Sequence, residues 1–172
     1  FENHGIRQTG AKTTGEQTGL IRFQSSPSLN LFTNTITVMA WVFAGRQENL
    51  SDLISKGDHI VIQQNNRQIT FFAGGWGLGD CTVALPADWE NHWHHIAGVC
   101  NDRLLQLYID GKLAGSTTLD FSPRLATHSN WMIGGNEEFP GERLFRGKIN
   151  QIRIFKEALS SEEILETMGT QN

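Results

Sequence analysis

The chain has 172 residues, 38% hydrophobic and 19% charged, a composition that predicts one packed globular domain and excludes a disordered chain. The 14 lysines and arginines are scattered and the net charge is −4, so we expect no nucleic-acid partner, which would require a basic patch. No run of about 18 apolar residues occurs, and we therefore expect no helical membrane span.

The sequence pattern indicates a succession of short strands, with turn signals roughly 8–12 residues apart. Phe1–Gly19 is polar and rich in Gly and Thr, and we interpret it as an edge strand or an extended lead-in. The run from Ile36 to Phe43 is apolar on both faces, which predicts a central strand covered on both sides. In chain order the predicted strands are Leu20–Phe23, Ile36–Phe43, Asp52–Ser55, His59–Gln64, Gln68–Ala73, Cys81–Leu85, Trp93–Cys100, Leu104–Ile109, Leu113–Leu119, Trp131–Gly134 and Leu144–Phe155.

The centre of the chain predicts an antiparallel meander. Its second turn contains Asp110-Gly111, a strong hairpin signal because the primed turns need positive φ, which Gly adopts without strain. Ser160 with Glu163 three residues later is a capping box, which predicts a helix from Ser160 to Met168. About ten to thirteen short strands and one terminal helix predict an all-β protein, either a two-sheet antiparallel sandwich or a barrel.

Five segments together carry a resemblance to a known family. They read ITVMAW, WHHIAGV, LYIDGKLAG, IGGN and FRGKINQIRIFKEALSSEEI, and they lie between Ile36 and Met168. In this order they resemble the laminin-G-like domains of the concanavalin A-like lectin/glucanase superfamily, which includes the pentraxins. The resemblance implies a jelly-roll sandwich of two curved sheets that holds ligands on its rim loops or its concave face. We therefore expect residues 1–172 to be one such domain, cut from a longer multidomain protein.

The two cysteines, Cys81 and Cys100, leave two interpretations open. If Cys81–Leu85 pairs antiparallel with Ile96–Cys100, the two thiols lie opposite each other and a disulfide is sterically allowed. Two reduced, buried thiols are the alternative, because free cysteine is among the most buried residue types.

Catalysis is not expected from this domain. The superfamily's glucanases have acidic residues alternating along one strand, because retaining hydrolysis needs two carboxylates about 5 Å apart on one face. No such pattern occurs here, and the adjacent Glu137 and Glu138 would point to opposite faces of a strand. We therefore predict that the domain is not an enzyme, and a glucanase-type hydrolase is the least favoured function.

The segment His92-Trp93-His94-His95 is a candidate for metal chemistry. His92 and His94 would share one face of a strand, where two imidazoles could bind one metal ion. No third ligand is identifiable, and the resemblance implies instead that Trp93 and His95 point into the sandwich as structural residues. We favour the structural interpretation.

Acidic residues on two predicted loops form a candidate calcium site. Calcium takes about six to eight oxygen ligands, drawn from carboxylates, amides and carbonyls. In the pentraxins two loops supply these ligands, and Arg143 and His59 are unfavourable neighbours for such a site here. A solvated acidic loop without metal is the alternative. The residues that match the pentraxin ligands are Asp58, Asn136, Glu137, Glu138 and, more loosely, Glu142.

Tryptophans on predicted loops are candidate carbohydrate contacts. An indole face stacks on the apolar face of a sugar ring, while nearby polar groups bind the hydroxyls. The candidates are Trp76, which stands alone among glycines, Trp131 with its neighbour Asn130, and Trp89. Such a tryptophan can equally close the end of a sandwich or pack against a neighbouring domain.

These features favour a non-catalytic carbohydrate-binding or adhesion module with a glycan as its partner. We expect an accessory domain of a secreted or surface glycoside hydrolase, for example a bacterial β-galactosidase-like enzyme. Its location would then be extracellular, at the cell surface or periplasmic. The alternative is a structural domain that packs on a neighbouring catalytic domain of the same chain and binds no sugar.

Overall fold

The computed structural model describes residues 11–13, 19–24, 26–30 and 32–169, which form a two-layer β-sandwich. The prediction of an all-β sandwich with a short C-terminal helix is confirmed. Two helices lie within these ranges, α1 (Pro27–Asn30) and α2 (Ser161–Met168). The strands of the described residues are β1 (Ala11–Thr13), β2 (Ile21–Phe23), β3 (Thr35–Ala44), β4 (Ser51–Lys56), β5 (Ile60–Asn65), β6 (Gln68–Ala73), β7 (Cys81–Ala84), β8 (Trp93–Asn101), β9 (Leu104–Ile109), β10 (Lys112–Thr118), β11 (Trp131–Ile133) and β12 (Gly147–Phe155).

The strands divide between two antiparallel sheets of six strands each. The first sheet has the order β1-β12-β3-β8-β9-β10, and the second has the order β2-β11-β4-β5-β6-β7. The chain crosses between the sheets several times. Strands β4-β5-β6-β7 are consecutive neighbours in the second sheet, and β8-β9-β10 are consecutive neighbours in the first. Strand β3 lies between β12 and β8, the central position that its apolar sequence predicts.

The predicted meander forms one edge of the first sheet. Asp110 and Gly111, between β9 and β10, have φ of 50° and 71°, as a primed hairpin turn requires. The Asp110 carboxylate accepts a hydrogen bond from the backbone N–H of His95 at 2.8 Å. The turn is therefore tied back to β8.

The main core lies between the two sheets, and a second apolar cluster lies beneath α2. Ile36, Val38 and Ala40 of β3 enter the main core, whereas Met39 points to the other face. Both faces of β3 are buried for this reason. The buried members of the second cluster are Met39, Ala97, Val99, Tyr108, Phe155 and Ile164.

Helix α2 covers the outer face of the first sheet and begins at the predicted capping box. The Ser160 hydroxyl accepts from the Glu163 backbone N–H at 3.3 Å, and the Glu163 carboxylate accepts from the Ser160 N–H at 2.8 Å. At the other end, Trp41 Nε1 donates to the carbonyl of Met168 at 3.1 Å. Just before the helix, the Leu159 backbone N–H donates to the Thr37 hydroxyl at 3.0 Å, so both ends of the helix are fixed to the sandwich.

The side chains of β8 point to different faces of the sheet from those predicted. Ile96 and Cys100 enter the core between the sheets, while Ala97 and Val99 lie beneath α2. His95 shares the face of Ala97, so the prediction that Trp93 and His95 point into the sandwich is wrong. Because α2 buries the outer face, both sets of alternating residues are apolar, and alternation cannot distinguish the faces.

The strand pairing that a disulfide between the two cysteines would require does not occur, and the alternative of two reduced, buried thiols holds. Strand β7, with Cys81, pairs with β6 in the second sheet, whereas β8, with Cys100, lies in the first. Both thiols are free and buried. Burial raises the pKa of both thiols, that of Cys100 to about 12, so they remain protonated and unreactive.

The N-terminal prediction is tested only in part. Ala11–Thr13 forms an edge strand on β12, and the rest of the predicted lead-in up to residue 18 lies outside the described residues. A short helix, α1, occurs where no helix is predicted. Neither of the two described helices is long and apolar enough to cross a membrane.

Candidate functional site

Several loops converge on the tight turn between β4 and β5, at one end of the sandwich. The Gly74 backbone N–H donates to the His59 carbonyl at 2.9 Å, and the Trp76 N–H donates to the Asp58 carbonyl at 3.2 Å. The His59 ring nitrogen Nε2 lies 2.7 Å from the Arg124 carbonyl. We call this region the loop end and define it as residues 56–59, 74–79, 123–130 and 136–143.

Trp76 presents its ring to solvent at the loop end. Its side chain is 63% exposed, and its ring meets that of Phe72 edge-on, with centroids 5.5 Å apart and planes at 70°. Phe72 is buried and lies on β6 between the core residues Phe71 and Ala73, so it points to the outer face of the second sheet. Trp76 therefore stands over that outer face with an indole face open.

Two glycines of the loop that carries Trp76 show why it is glycine-rich. Gly74 has a φ of 100°, and a Cβ at this position would lie 2.5 Å from Cβ of Pro123. Gly77 has a φ of 85°, and a Cβ there would have no neighbour within 4 Å among the described residues. Residues with a side chain rarely adopt such positive φ, so glycine is what allows the loop this shape.

The other predicted tryptophans are buried. Trp131 is 1% exposed, because β11 lies inside the second sheet and its ring packs edge-on against Phe32 at 6.2 Å. Trp89 is also 1% exposed, since its ring stacks on His94 at 5.2 Å and its Nε1 donates to Gln64. The prediction that these two indoles stack on a sugar is wrong, because solvent reaches neither ring.

Asn130 joins two loops. Its backbone N–H and its side-chain Nδ2 both donate to the carboxylate of Glu137, each at 2.6 Å. Arg22 lies 3.7 Å from the same carboxylate. These contacts close the segment before β11 onto the loop that follows it, so the Glu137 carboxylate serves the structure of the loop end.

A buried lysine, which the sequence pattern does not indicate, lies beneath these loops. Lys56 Nζ donates to Asn30 Oδ1 at 2.9 Å and to the Ser129 carbonyl at 2.6 Å. It also lies 5.7 Å from the ring centroid of Trp131. Burial lowers the pKa of Lys56 to about 8, an effect that the negative charge of Glu137 opposes.

The remaining acidic residues of the loop end lie beside Arg143. Its Nη1 is 3.1 Å from Asp58 Oδ1 and 3.8 Å from Oδ2 of the buried Asp52. Asn136, also buried, donates from Nδ2 to Asp52 Oδ2 at 2.9 Å. The ring centroid of Phe139 lies 3.4 Å from Cζ of Arg143. Arg143 and Asp52 thus belong to the site, although the sequence analysis counted Arg143 only as an unfavourable neighbour of calcium and gave Asp52 no role.

The predicted calcium ligands do not fit a calcium site. Glu138 Oε1 accepts from the Asp58 backbone N–H at 3.0 Å, and Asn130 occupies the carboxylate of Glu137. Glu142 is exposed. Across the described part of the chain, no three His, Cys, Asp or Glu side chains are arranged to hold a metal ion. The positive charge beside Asp58 is that of an arginine.

A row of polar side chains crosses the outer face of the second sheet. The ladder sets Asp52 opposite Gln63, Gln63 opposite Thr70, and Thr70 opposite Thr82. The two threonine hydroxyls are 2.7 Å apart, whereas Asp52 Oδ1 and Gln63 Oε1 are buried without a hydrogen-bond partner among the described residues. Burial raises the pKa of the Asp52 carboxyl to about 6, and the hydrogen bond from Asn136 only partly offsets this.

The predicted histidine pair has a structural environment. His92 is exposed, with Nδ1 3.1 Å from the carbonyl of Glu90. His94 is buried, with Nδ1 2.8 Å from Asp110 Oδ2 and Nε2 3.3 Å from the carbonyl of Asp88. Protein atoms engage both ring nitrogens of His94, which leaves it no free position for a shared metal ion.

The sandwich and its loop end define a lectin-like β-sandwich domain. The chain belongs to the concanavalin A-like lectin/glucanases superfamily, because a laminin G family model with that description matches residues 15–165. No curated protein sequence matches the chain.

Solved structures share this fold at low sequence identity. An SAP-like pentraxin from Limulus polyphemus is 13% identical, with a TM-score of 0.74 over 92% of this chain and 81% of the pentraxin. A Bacteroides ovatus protein assigned to carbohydrate binding is 15% identical, with a TM-score of 0.74 over 94% of this chain and 47% of that protein. The NanB sialidase from Streptococcus pneumoniae is 17% identical, with a TM-score of 0.74 over 93% of this chain and 27% of the sialidase. The chain thus spans less than half the length of the last two proteins, and likeness at this identity shows the fold alone.

Proposed function

We propose that this domain is a non-catalytic carbohydrate-binding module that holds a glycan over the outer face of the second sheet. The observation that carries the proposal is Trp76, whose ring is 63% exposed and rests edge-on against the buried Phe72. An exposed aromatic ring with a fixed position suits the apolar face of a sugar ring, because stacking needs little further ordering.

Polar groups for the sugar hydroxyls lie on the same sheet face. Thr70 precedes Phe72 by two residues on β6 and therefore points to the same side. Its hydroxyl lies 2.7 Å from that of the exposed Thr82, which in turn donates to Asp80 Oδ1 at 2.8 Å. An aromatic platform beside a few convergent hydroxyl and carboxylate groups is typical of a carbohydrate site.

The acidic residues support binding without hydrolysis. Glycosidases place two carboxyl groups on either side of the scissile bond. Glu137 binds Asn130, and Glu138 binds the backbone of Asp58, so each carboxylate of this adjacent pair is committed to a different loop contact. Neither side chain is available as a paired acid and nucleophile.

The proposed setting is an accessory domain of a longer secreted or surface protein, such as a glycoside hydrolase. In the Bacteroides and Streptococcus proteins described above, the matching region is 47% and 27% of a longer chain. The Streptococcus protein is a sialidase, that is, an enzyme that cleaves glycosides. An extracellular, cell-surface or periplasmic location belongs to the same proposal.

A second candidate function is docking onto a neighbouring domain of the same protein. The observation that favours it is the exposure of further apolar side chains in this part of the chain, Leu78 at 39% and Phe121 at 47%. Apolar side chains of this size at a surface can anchor a domain interface. In that case the 172-residue chain would self-associate and bind no glycan.

Glycan-array binding of the 172-residue chain tests both candidates. We expect retention on a subset of glycans, lost in Trp76→Ala and kept in the control Leu113→Ala, which removes a 53% exposed apolar side chain from β10 of the first sheet. Binding by Trp76→Ala equal to that of the wild type would refute the proposed site. No binding by the wild type, together with concentration-dependent dimers in sedimentation, would favour the docking function instead.

A further inference from the structure

We propose that the guanidinium of Arg143 is the built-in cation of the loop end, in the place where a divalent metal ion would otherwise be needed. The loops of this domain then assemble without calcium. Removal of the guanidinium would uncover a set of oxygen atoms that calcium can bind. This inference concerns how the loop end is held together, and it does not depend on the glycan proposed above.

Arg143 contacts segments that are distant in sequence. Its Nη1 lies 3.1 Å from Asp58 Oδ1 in the β4–β5 turn and 3.8 Å from Asp52 Oδ2 in β4. Its own carbonyl accepts from the backbone N–H of Asp52 at 2.9 Å. The ring of Phe139 lies against the guanidinium, 3.4 Å from Cζ. Backbone, ring and carboxylates together fix the position of the positive charge.

The carboxylates at this point need a positive charge. The side chain of Asp52 is fully buried, and that of Asp58 is only 17% exposed. The charge of Asp58 disfavours ionised Asp52, whereas the charge of Arg143 favours it. Without a cation, Asp52 must either take up a proton or move towards solvent, because an uncompensated buried charge is strongly unfavourable.

Oxygen atoms suited to calcium would remain after the guanidinium is removed. They include the carboxylates of Asp52 and Asp58 and the carbonyl of Gly57, because Asp52 Oδ2 and the Gly57 carbonyl both accept from Nδ2 of Asn136, at 2.9 Å and 3.2 Å. Asp52 Oδ1 is buried and, among the described residues, has no hydrogen-bond partner. Carboxylate, amide and carbonyl oxygens on loops are the ligands that calcium prefers.

Thermal unfolding of Arg143→Gln with a chelator and with millimolar calcium tests the inference. We expect the wild-type Tm to be the same in both conditions. In chelator, Arg143→Gln should melt roughly 5–10 °C below the wild type, and calcium should restore a large part of that loss, whereas sodium at equal ionic strength should not. The matched control is Arg146→Gln, because Arg146 is exposed and pairs with Glu48 at 3.3 Å. Its Tm should stay at the wild-type value in both conditions.

Three results would overturn the inference: a wild-type Tm that rises in calcium, an Arg143→Gln variant as stable as the wild type in chelator, or a destabilised variant that calcium does not rescue. If Arg143→Gln does not fold in chelator, its refolding yield in calcium replaces the Tm, with the same expectation of recovery. Arg143→Lys keeps the charge and should be insensitive to calcium, so a calcium-dependent Tm in this variant would also contradict the inference.

Discussion

The indole of Trp76 and the ring of Phe72 meet edge-on, with centroids 5.5 Å apart and planes at 70°. Phe72 is 1% exposed and Trp76 is 63% exposed. One ring therefore belongs to the packed sheet, and the other projects from it. The contact limits how the indole can move and leaves an indole face accessible, which is the property that the proposed glycan site requires.

The first prediction concerns this exposed ring. Trp76→Ala should weaken glycan retention at least about tenfold, because the stacking surface is lost. The free energy of unfolding should change by less than about 1 kcal/mol, since the side chain is mainly in solvent. Isothermal titration and urea unfolding measure the two effects. A loss of binding accompanied by a large loss of stability would argue that the ring is structural.

The second prediction concerns the shape of the loop that carries Trp76. Gly74→Ala should destabilise the domain by about 2–3 kcal/mol and weaken glycan retention. The new methyl group would clash with Pro123, and alanine would also have to adopt a positive φ. Gly77→Ala is the matched control, with positive φ but no close neighbour among the described residues. It should cost only about 1 kcal/mol and keep binding. Equal losses in the two variants, measured by urea unfolding, would contradict the argument.

The third prediction concerns two buried groups whose pH dependences oppose each other. The pKa of Asp52 is raised to about 6 by burial, so its contribution to stability falls as pH rises from about 4 to 6. The pKa of His95 is lowered to about 4, chiefly by burial and also by Arg153, so its contribution falls as pH drops from 6.5 to about 4. Each effect is at most about 3 kcal/mol. They largely cancel in the wild type.

Single variants should separate the two effects. Relative to the wild type, Asp52→Asn should gain stability as pH rises from about 4 to 6, whereas His95→Gln should gain stability as pH falls from 6.5 to about 4. His92→Gln replaces an exposed histidine and should follow the wild type throughout. Urea unfolding at half-unit pH steps provides the measurement. Slopes of the same sign in the first two variants would be inconsistent with these pKa shifts.

The fourth prediction concerns the buried lysine beneath the loops. Lys56→Met keeps the apolar stem beside Trp131 but removes the donor to the Ser129 carbonyl, so we expect a loss of about 2 kcal/mol. Lys148→Met, at an exposed lysine 5.1 Å from the ring of Phe43, should change stability by less than about 0.5 kcal/mol. If Lys56→Met leaves the free energy of unfolding unchanged, the cost of burying the ammonium group cancels the gain from its hydrogen bonds.

Local sequence was sufficient to predict most strands, the main hairpin turn and the start of the last helix. Asp110-Gly111 forms the hairpin turn, and Ser160 with Glu163 forms the capping box, as their local chemistry predicts. These features depend on residues a few positions apart, so a short window of sequence contains all that is needed. The apolar run of β3 likewise predicted a strand buried on both faces.

Which predicted residues are accessible, and which lie together, depends on the packing of the whole domain. Trp76 and Trp131 both follow turn-like residues, yet one projects from a loop and the other lies within a sheet. Alternation assigns residues to a face of a strand but does not say what covers that face. For this reason the predicted orientation of the β8 side chains was wrong. Arg143 joins Asp58 across 85 positions of sequence. Contacts over such separations follow from how the two sheets and their loops pack, which no local pattern records.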